Sequence, residues 1–292
     1  MLCKLKKIIL LLIFVLSAGQ FILAQNSTDF TFFPDEINFK PLLADHKEAK
    51  LGILYYTAST NLKVDVGYAA NIFQFHFQSD NVKLSVGIEF LAYALSTSYA
   101  GKRLQIDAVD GLFGGYFSAA KLYSENKLLV RLKIMHNSAH LVDGHYDNET
   151  DRWLDDYKPI PFTKDYGELT IAHEINFTKN RLRYYGGITY STLIRPSELK
   201  RNNYHAGLEV SSQNLLGKFF GENENIFLAH HFYLNGTDSY SGNNHSIAGI
   251  KIGNWYGRGF SFYLSYFKGF DILNSYYSFK REKFGVGFEI DF

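Results

Sequence analysis

His136, Ser138 and Asp165 are the residues whose types and spacing could do chemistry. The stretch RLKIMHNSAHLVDG, starting at Arg131, puts Leu132, Ile134, His136, Ser138 and His140 on one side of an extended chain. Arg131, Lys133 and Asn137 fall on the other. Residues two apart on one strand face have Cα atoms about 6.6 Å apart. An imidazole and a hydroxyl so placed can share a hydrogen bond, the relation a serine nucleophile and its base require. A third group should orient the imidazole. Asp165 has the parity of Leu169 and Ile171, and if Leu132 lies opposite Leu169 on the next strand, Asp165 falls opposite His136. The chemistry would be acyl transfer: Ser138 attacks an ester carbonyl, His136 takes its proton, and Asp165 holds the ring. Nothing in the sequence identifies the group that would stabilise the oxyanion. A structural reading stands beside this one, because a polar cluster at the edge of an apolar surface can snorkel towards water at little cost.

Metal chemistry finds no such pattern. His136 and His140 on one strand would lie about 13 Å apart, too far to share an ion. His230 and His231 point to opposite faces, and the remaining histidines lack ligand-like spacing. No cofactor is expected; Ca²⁺ is the one ion that lipid hydrolysis could call on. Cys3 is the only cysteine, so the chain after it has no thiol for a disulfide, a thiolate nucleophile or a zinc–sulfur site. With 30 Lys and Arg against 29 Asp and Glu, there is no basic footprint for nucleic acid.

The elements that must position these residues alternate. VKLSVGIEF puts Val82, Leu84, Val86, Ile88 and Phe90 on one face and Lys83, Ser85 and Glu89 on the other. LTIAHEINF, RLRYYGGITYS, YHAGLEV and FSFYLSYF repeat the pattern. Period-two segments of about ten residues, separated by turn residues, are the signature of a transmembrane β-barrel. A soluble β-sandwich also alternates, but its buried face would not carry this much charge. The spacing predicts an all-β, antiparallel barrel of about twelve strands: 49–57, 63–77, 82–95, 104–121, 127–140, 165–178, 181–193, 202–213, 225–235, 244–254, 258–268 and 281–292. An even number puts both termini on one side, the periplasm. SDN, SEN, FTKN and WYGR would be short inner turns, and 141–164 the longest outer loop. NLLGKFFGENEN is long for an inner connection. Residues 26–47, with Pro34 and Pro41, read as an irregular segment that plugs the lumen or lies below it. Inward Lys83, Arg131, Lys133, Arg181, Arg183 and Lys251 are expected to pair with Glu89, Glu174, Glu209 and Glu289, filling a wet lumen with charge networks or lining a small-solute channel.

Both ends of the chain fit a Gram-negative outer membrane. Residues 1–25 have a basic start (Lys4, Lys6, Lys7), the apolar run Ile8 to Leu16 and small residues around Ala24, the pattern of a secretory signal peptide. At the other end Phe284, Val286, Phe288, Ile290 and Phe292 share one face. That resembles the C-terminal signature through which insertion machinery recognises outer-membrane barrels. On this plan the fifth strand rises to the outer rim, so His136 and Ser138 begin where the hydrocarbon ends, and outer-membrane lipid is the expected partner.

The His-x-Ser at 136–138 resembles the core of outer-membrane phospholipase A and of the lipid A deacylase. Both carry it on an outward strand face, with an Asn or Glu from the following strand; the Asn-Gly features that accompany it there are replaced here by Ala139 and His140. MHNSAHLVDGHY from Met135, PFTKDYGELTIAHEI from Pro161 and LRYYGGITYS from Leu182 resemble a bacterial family catalogued as domain of unknown function 1207, grouped with outer-membrane barrels. The resemblance runs over roughly 35–292. It implies a His-x-Ser-Ser-His-Leu-Gly-Asp core, matched here by His136, Ser138, His140 and Asp143, with Ala139 for the second serine and Val142 for the glycine. Asp165 stands where the family's acidic residue would be. Two functions are therefore carried forward: a structural, binding or small-solute channel barrel, and a serine-dependent acyl hydrolase of outer-leaflet lipid.

Overall fold

The computed structural model describes residues 28–59, 61–99, 103–141, 146–147, 149–153 and 159–292. The leader and Asp143 lie outside these residues. Twelve antiparallel strands form the wall: β1 (Leu51–Tyr56), β2 (Asn61–Phe77), β3 (Val82–Tyr99), β4 (Arg103–Leu122), β5 (Asn126–Leu141), β6 (Phe162–Phe177), β7 (Asn180–Arg195), β8 (Asn202–Phe219), β9 (Glu222–Gly236), β10 (Tyr240–Gly253), β11 (Gly259–Phe270) and β12 (Lys280–Asp291). Each pairs with the next in sequence, and β12 returns to β1 from Gly285↔Tyr56 to Ile290↔Leu51, which closes the sheet. Closure satisfies the backbone groups that an open edge would leave unpaired. The long connections gather at one end, the loop end; the short turns and the C-terminus lie at the other, the turn end. Among the described residues no helix is long and apolar enough to cross a membrane.

Two boundaries differ from expectation. NLLGKFFGENEN is not a long connection: β8 and β9 run on through it as a hairpin whose turn is residues 220–221. An irregularity between Gln213 and Lys218, where residues 214–217 fall out of register with β9, hides this extension from a strict period-two reading. Within the segment read as irregular, Thr28–Phe32 form a strand that pairs with the last residues of β2, Thr28↔Phe77 to Phe32↔Phe73. The long loop carries a small hairpin, Tyr146–Asp147 against Arg152–Trp153.

Side chains sort inside out. Outward residues are large and apolar, such as Ile88, Phe90, Phe113, Leu132, Ile134 and Leu264, while Glu89, Arg131, Lys133, Arg183, Glu209 and Lys251 are buried. The lumen is not wet through its length, because residues 33–50 enter from the turn end and occupy it. Phe39, Leu42, Ala44 and Glu48 are each no more than 1% exposed. Arg183 donates to the carbonyls of Lys40 (2.7 Å) and Pro41 (2.9 Å) and to Glu209, which accepts from Leu43 N–H (2.8 Å). Glu48 takes two bonds from Arg131 and one from Lys133 (3.0 Å), and Lys133 also reaches Glu89 (2.7 Å). Of the expected charge pairs, Lys133–Glu89 and Arg183–Glu209 form; Lys251 pairs with Asp291, and Glu174 with Lys127 (3.1 Å). The plug itself supplies Glu48, a partner that strand parity cannot reveal.

Candidate functional site

The fifth and sixth strands pair in the expected register: Leu132 lies opposite Leu169, and His136 opposite Asp165. The β5 residues Leu132 and Ile134 face outwards, at 43% and 70% exposure, and Arg131, Lys133 and Asn137 are buried. His136, Ser138 and His140 therefore lie on the outward face, in the last turns of β5 before the loop end.

His136 Nδ1 and Asp165 Oδ1 are 2.6 Å apart, with the side chains 34% and 48% exposed. A carboxylate on Nδ1 fixes the tautomer that leaves Nε2 with its lone pair, as a base requires. Phe113, opposite His136 on β4, packs its ring 4.9 Å from the imidazole. Asp165 is steadied in turn by Thr192, whose hydroxyl donates to the Asp165 carbonyl at 3.2 Å.

Ser138 does not bond His136 as the spacing suggested. Its Oγ lies 2.9 Å from His140 Nε2. The hydroxyl leans along the strand towards the next outward imidazole; to meet His136, two residues the other way, it must adopt another staggered rotamer. His140 was on the same face by the same parity, so the signal for this partner was present in the sequence. Beside Ser138 the wall is low. Gly111 is its β4 neighbour, and a Cβ built there meets nothing nearer than the Ser138 carbonyl at 3.9 Å. Gly167, opposite Ile134, is similarly open. Small residues beside Ser138 and Ile134 thus leave the outward face of the wall low around the hydroxyl. Among the described residues no group of three or more His, Cys, Asp or Glu side chains could hold a metal ion.

The register has a direct test. Paired residues of an antiparallel ladder have Cα atoms about 4.5–5.5 Å apart, within the range a disulfide spans. Because no cysteine follows Cys3, the background is clean. Cysteines at 136 and 165 are expected to cross-link in the folded barrel, and cysteines at 138 and 165 are not. Equal yields in the two variants, read by mass spectrometry of peptides, would place Asp165 elsewhere.

A family model described as "Protein of unknown function (DUF1207)" matches residues 13–292. No curated protein matches the chain. Among solved structures, CdiB from Acinetobacter baumannii is similar at 9% identity with a TM-score of 0.38, over 90% of this chain and 65% of that one.

Proposed function

The chain belongs to the DUF1207 family, and from that premise we propose that it is an integral outer-membrane barrel that hydrolyses ester bonds of outer-leaflet lipid at its outward rim. The family brings no activity, so the proposal rests on the site. The single observation that carries it is the His136–Asp165 bond on the outward face, with the Ser138 hydroxyl two residues along the same strand. The apolar outward surface supports the membrane setting. Outward rows from many strands of the wall expose Ile, Leu, Val and Phe, whereas soluble monomers rarely expose apolar patches beyond a few hundred Å².

Of the two imidazoles beside Ser138, His136 is the base in this reading because, among the described residues, it is the one with a carboxylate on its far nitrogen. Ser138 Oγ bonds the ester carbonyl carbon while its proton passes to His136 Nε2. The imidazolium returns that proton to the leaving alcohol, and a lysolipid departs. Water then attacks the acyl-serine with the same base, releasing fatty acid and restoring the hydroxyl. The bond to His140 holds the serine in its resting rotamer. The low surface at Gly111 and Gly167 would take an acyl chain of phospholipid or lipid A.

The test uses the purified full chain in vesicles that contain phospholipid or lipid A, with and without Ca²⁺, and mass spectrometry of the products. Released fatty acid and the matching lysolipid support the reading. Intact lipid in every arm removes it.

The plug favours a second reading, a closed structural or binding barrel. On either reading the wild type is expected to show no steady conductance in planar bilayers. Deleting residues 36–49, which removes Phe39, Leu42 and Glu48 from the lumen, is expected to open a conducting path. A steady current through the wild type would restore the small-solute channel.

A further inference from the structure

We propose that the loop end of the lumen contains a binding site for a small oxyanion, a phosphate or a carboxylate, anchored by Lys164. This site lies inside the barrel and is separate from the outward His136–Asp165 pair, so it stands or falls without the hydrolase reading.

A cavity of about 60 Å³ lies between the tip of the plug and the loops that follow β7 and β11. One water needs roughly 10–15 Å³ of such space, so there is room for a small oxyanion and not for an oligosaccharide. Lys164 reaches it from β6 and Lys47 from the plug; Lys200 lies on the loop above. Asn203 and Asn235 add amide groups to the wall.

Lys164 is the telling residue, because it is only 6% exposed and, among the described residues, no carboxylate forms an ion pair with it. Its cross-strand neighbours are Asn137 and Ile194. Its ammonium instead lies 4.9 Å from the Tyr166 ring and 5.9 Å from the Phe162 ring. Ring faces compensate a buried cation only in part, and a buried charge without a partner is costly. Lys47, half-buried on the plug, lies 3.4 Å over the Tyr233 ring.

The carboxylates around this cavity have other donors. Asp271, which lines it, accepts from Arg281 Nε at 3.0 Å and from the Leu273 N–H at 3.1 Å. Asp45 caps the Lys47 backbone N–H (3.0 Å), Glu168 accepts from Thr189 (3.1 Å), and Asp110 accepts from Asn274 N–H (2.8 Å). One oxygen of Asp110 stays without a donor, yet among the described residues none of these carboxylates bonds the Lys164 ammonium. An oxyanion supplies an acceptor, in charge-assisted bonds that Lys47 and the asparagine amides can extend.

The experiment is equilibrium dialysis of the full-length barrel in detergent against radiolabelled phosphate or acetate at constant ionic strength. Folding of each variant is checked by heat-modifiable gel mobility. Saturable binding of one equivalent of either anion is expected, and which one binds assigns the class. Lys164→Gln should bind at least about tenfold more weakly, since one charge-assisted hydrogen bond is worth that much. Lys200→Gln, on the loop, should also weaken binding and does not depend on a change in the barrel interior. Lys121→Gln, whose ammonium reaches the Asp80 carbonyl at the turn end, should bind as the wild type does. No saturable binding of either anion at millimolar concentration overturns the proposal. Unchanged affinity in both Lys164→Gln and Lys200→Gln does so equally.

Discussion

Replacing Ser138 by alanine is expected to lower fatty-acid release by roughly 10³–10⁶-fold, the range seen when a serine nucleophile is removed from a group that acts as a unit. The oxygen is the whole of the loss. Ser138 is partly exposed and its one side-chain bond is to His140, so alanine leaves the wall intact and heat-modifiable mobility should not change. His136→Ala should cost a similar factor, and the double variant no more than either single one, because a nucleophile without its base and a base without its nucleophile are equally idle. His140→Ala separates the two imidazoles. With His136 as the base, this variant keeps most activity, since it frees the serine to rotate. If His140→Ala instead matches Ser138→Ala while His136→Ala remains active, the proton goes to His140 and the Asp165-held ring has another task. The measurement is the initial rate of lysolipid formation, normalised to folded barrel.

Glu48→Gln should destabilise the folded barrel by about 3–5 kcal/mol, the usual cost of breaking a buried ion pair from one side. Glu48 is 1% exposed and receives both Arg131 and Lys133. Glutamine keeps the shape but leaves Lys133 with Glu89 and takes from Arg131 its ion-pair partner. Burial by itself would push the Glu48 carboxyl up, but Arg131 and Lys133 outweigh it and hold the group down at about 2, from an ordinary 4.5. A depressed carboxyl adds stability above the unfolded value and loses it as pH falls through the folded one. The plug should therefore loosen between pH 4.5 and 2 in the wild type, and Glu48→Gln should lack that transition. Urea unfolding in micelles across this range reads both effects. Glu48→Gln with Arg131→Met should recover part of the loss, because removing both partners relieves the orphaned charge. A single variant as stable as the wild type, with an unaltered acid limb, would mean the pair does not hold the plug.

The wall was legible in the sequence because a strand's side-chain period of two survives without knowledge of any neighbour. The alternation around Val82, Leu169 and Leu182 located three strands within a few residues, and the aromatic parity from Phe284 to Phe292 located the last. The His136–Asp165 pair was also within reach. Once Leu132 and Leu169 share a row, each further pair follows by counting, and the observed register has that form. Two kinds of feature escaped. The irregularity at 214–217 in β8 breaks the period, so the hairpin to Phe219 and Glu222 read as a loop. The plug has no period, so nothing local tells that Glu48 meets Arg131 or that Lys47 and Lys164 enter one cavity.

The choice between the two partners of Ser138 lies on the same boundary. Parity put His136, Ser138 and His140 in one row; which imidazole the hydroxyl meets depends on a rotamer chosen by its surroundings. The sequence by itself determined what each strand turns outwards and which residues can lie side by side, because those follow from a repeat written along the chain. Only the tertiary structure decided what fills the lumen and which polar groups meet there. Such contacts join residues more than eighty positions apart, through closure of the barrel that no local pattern encodes.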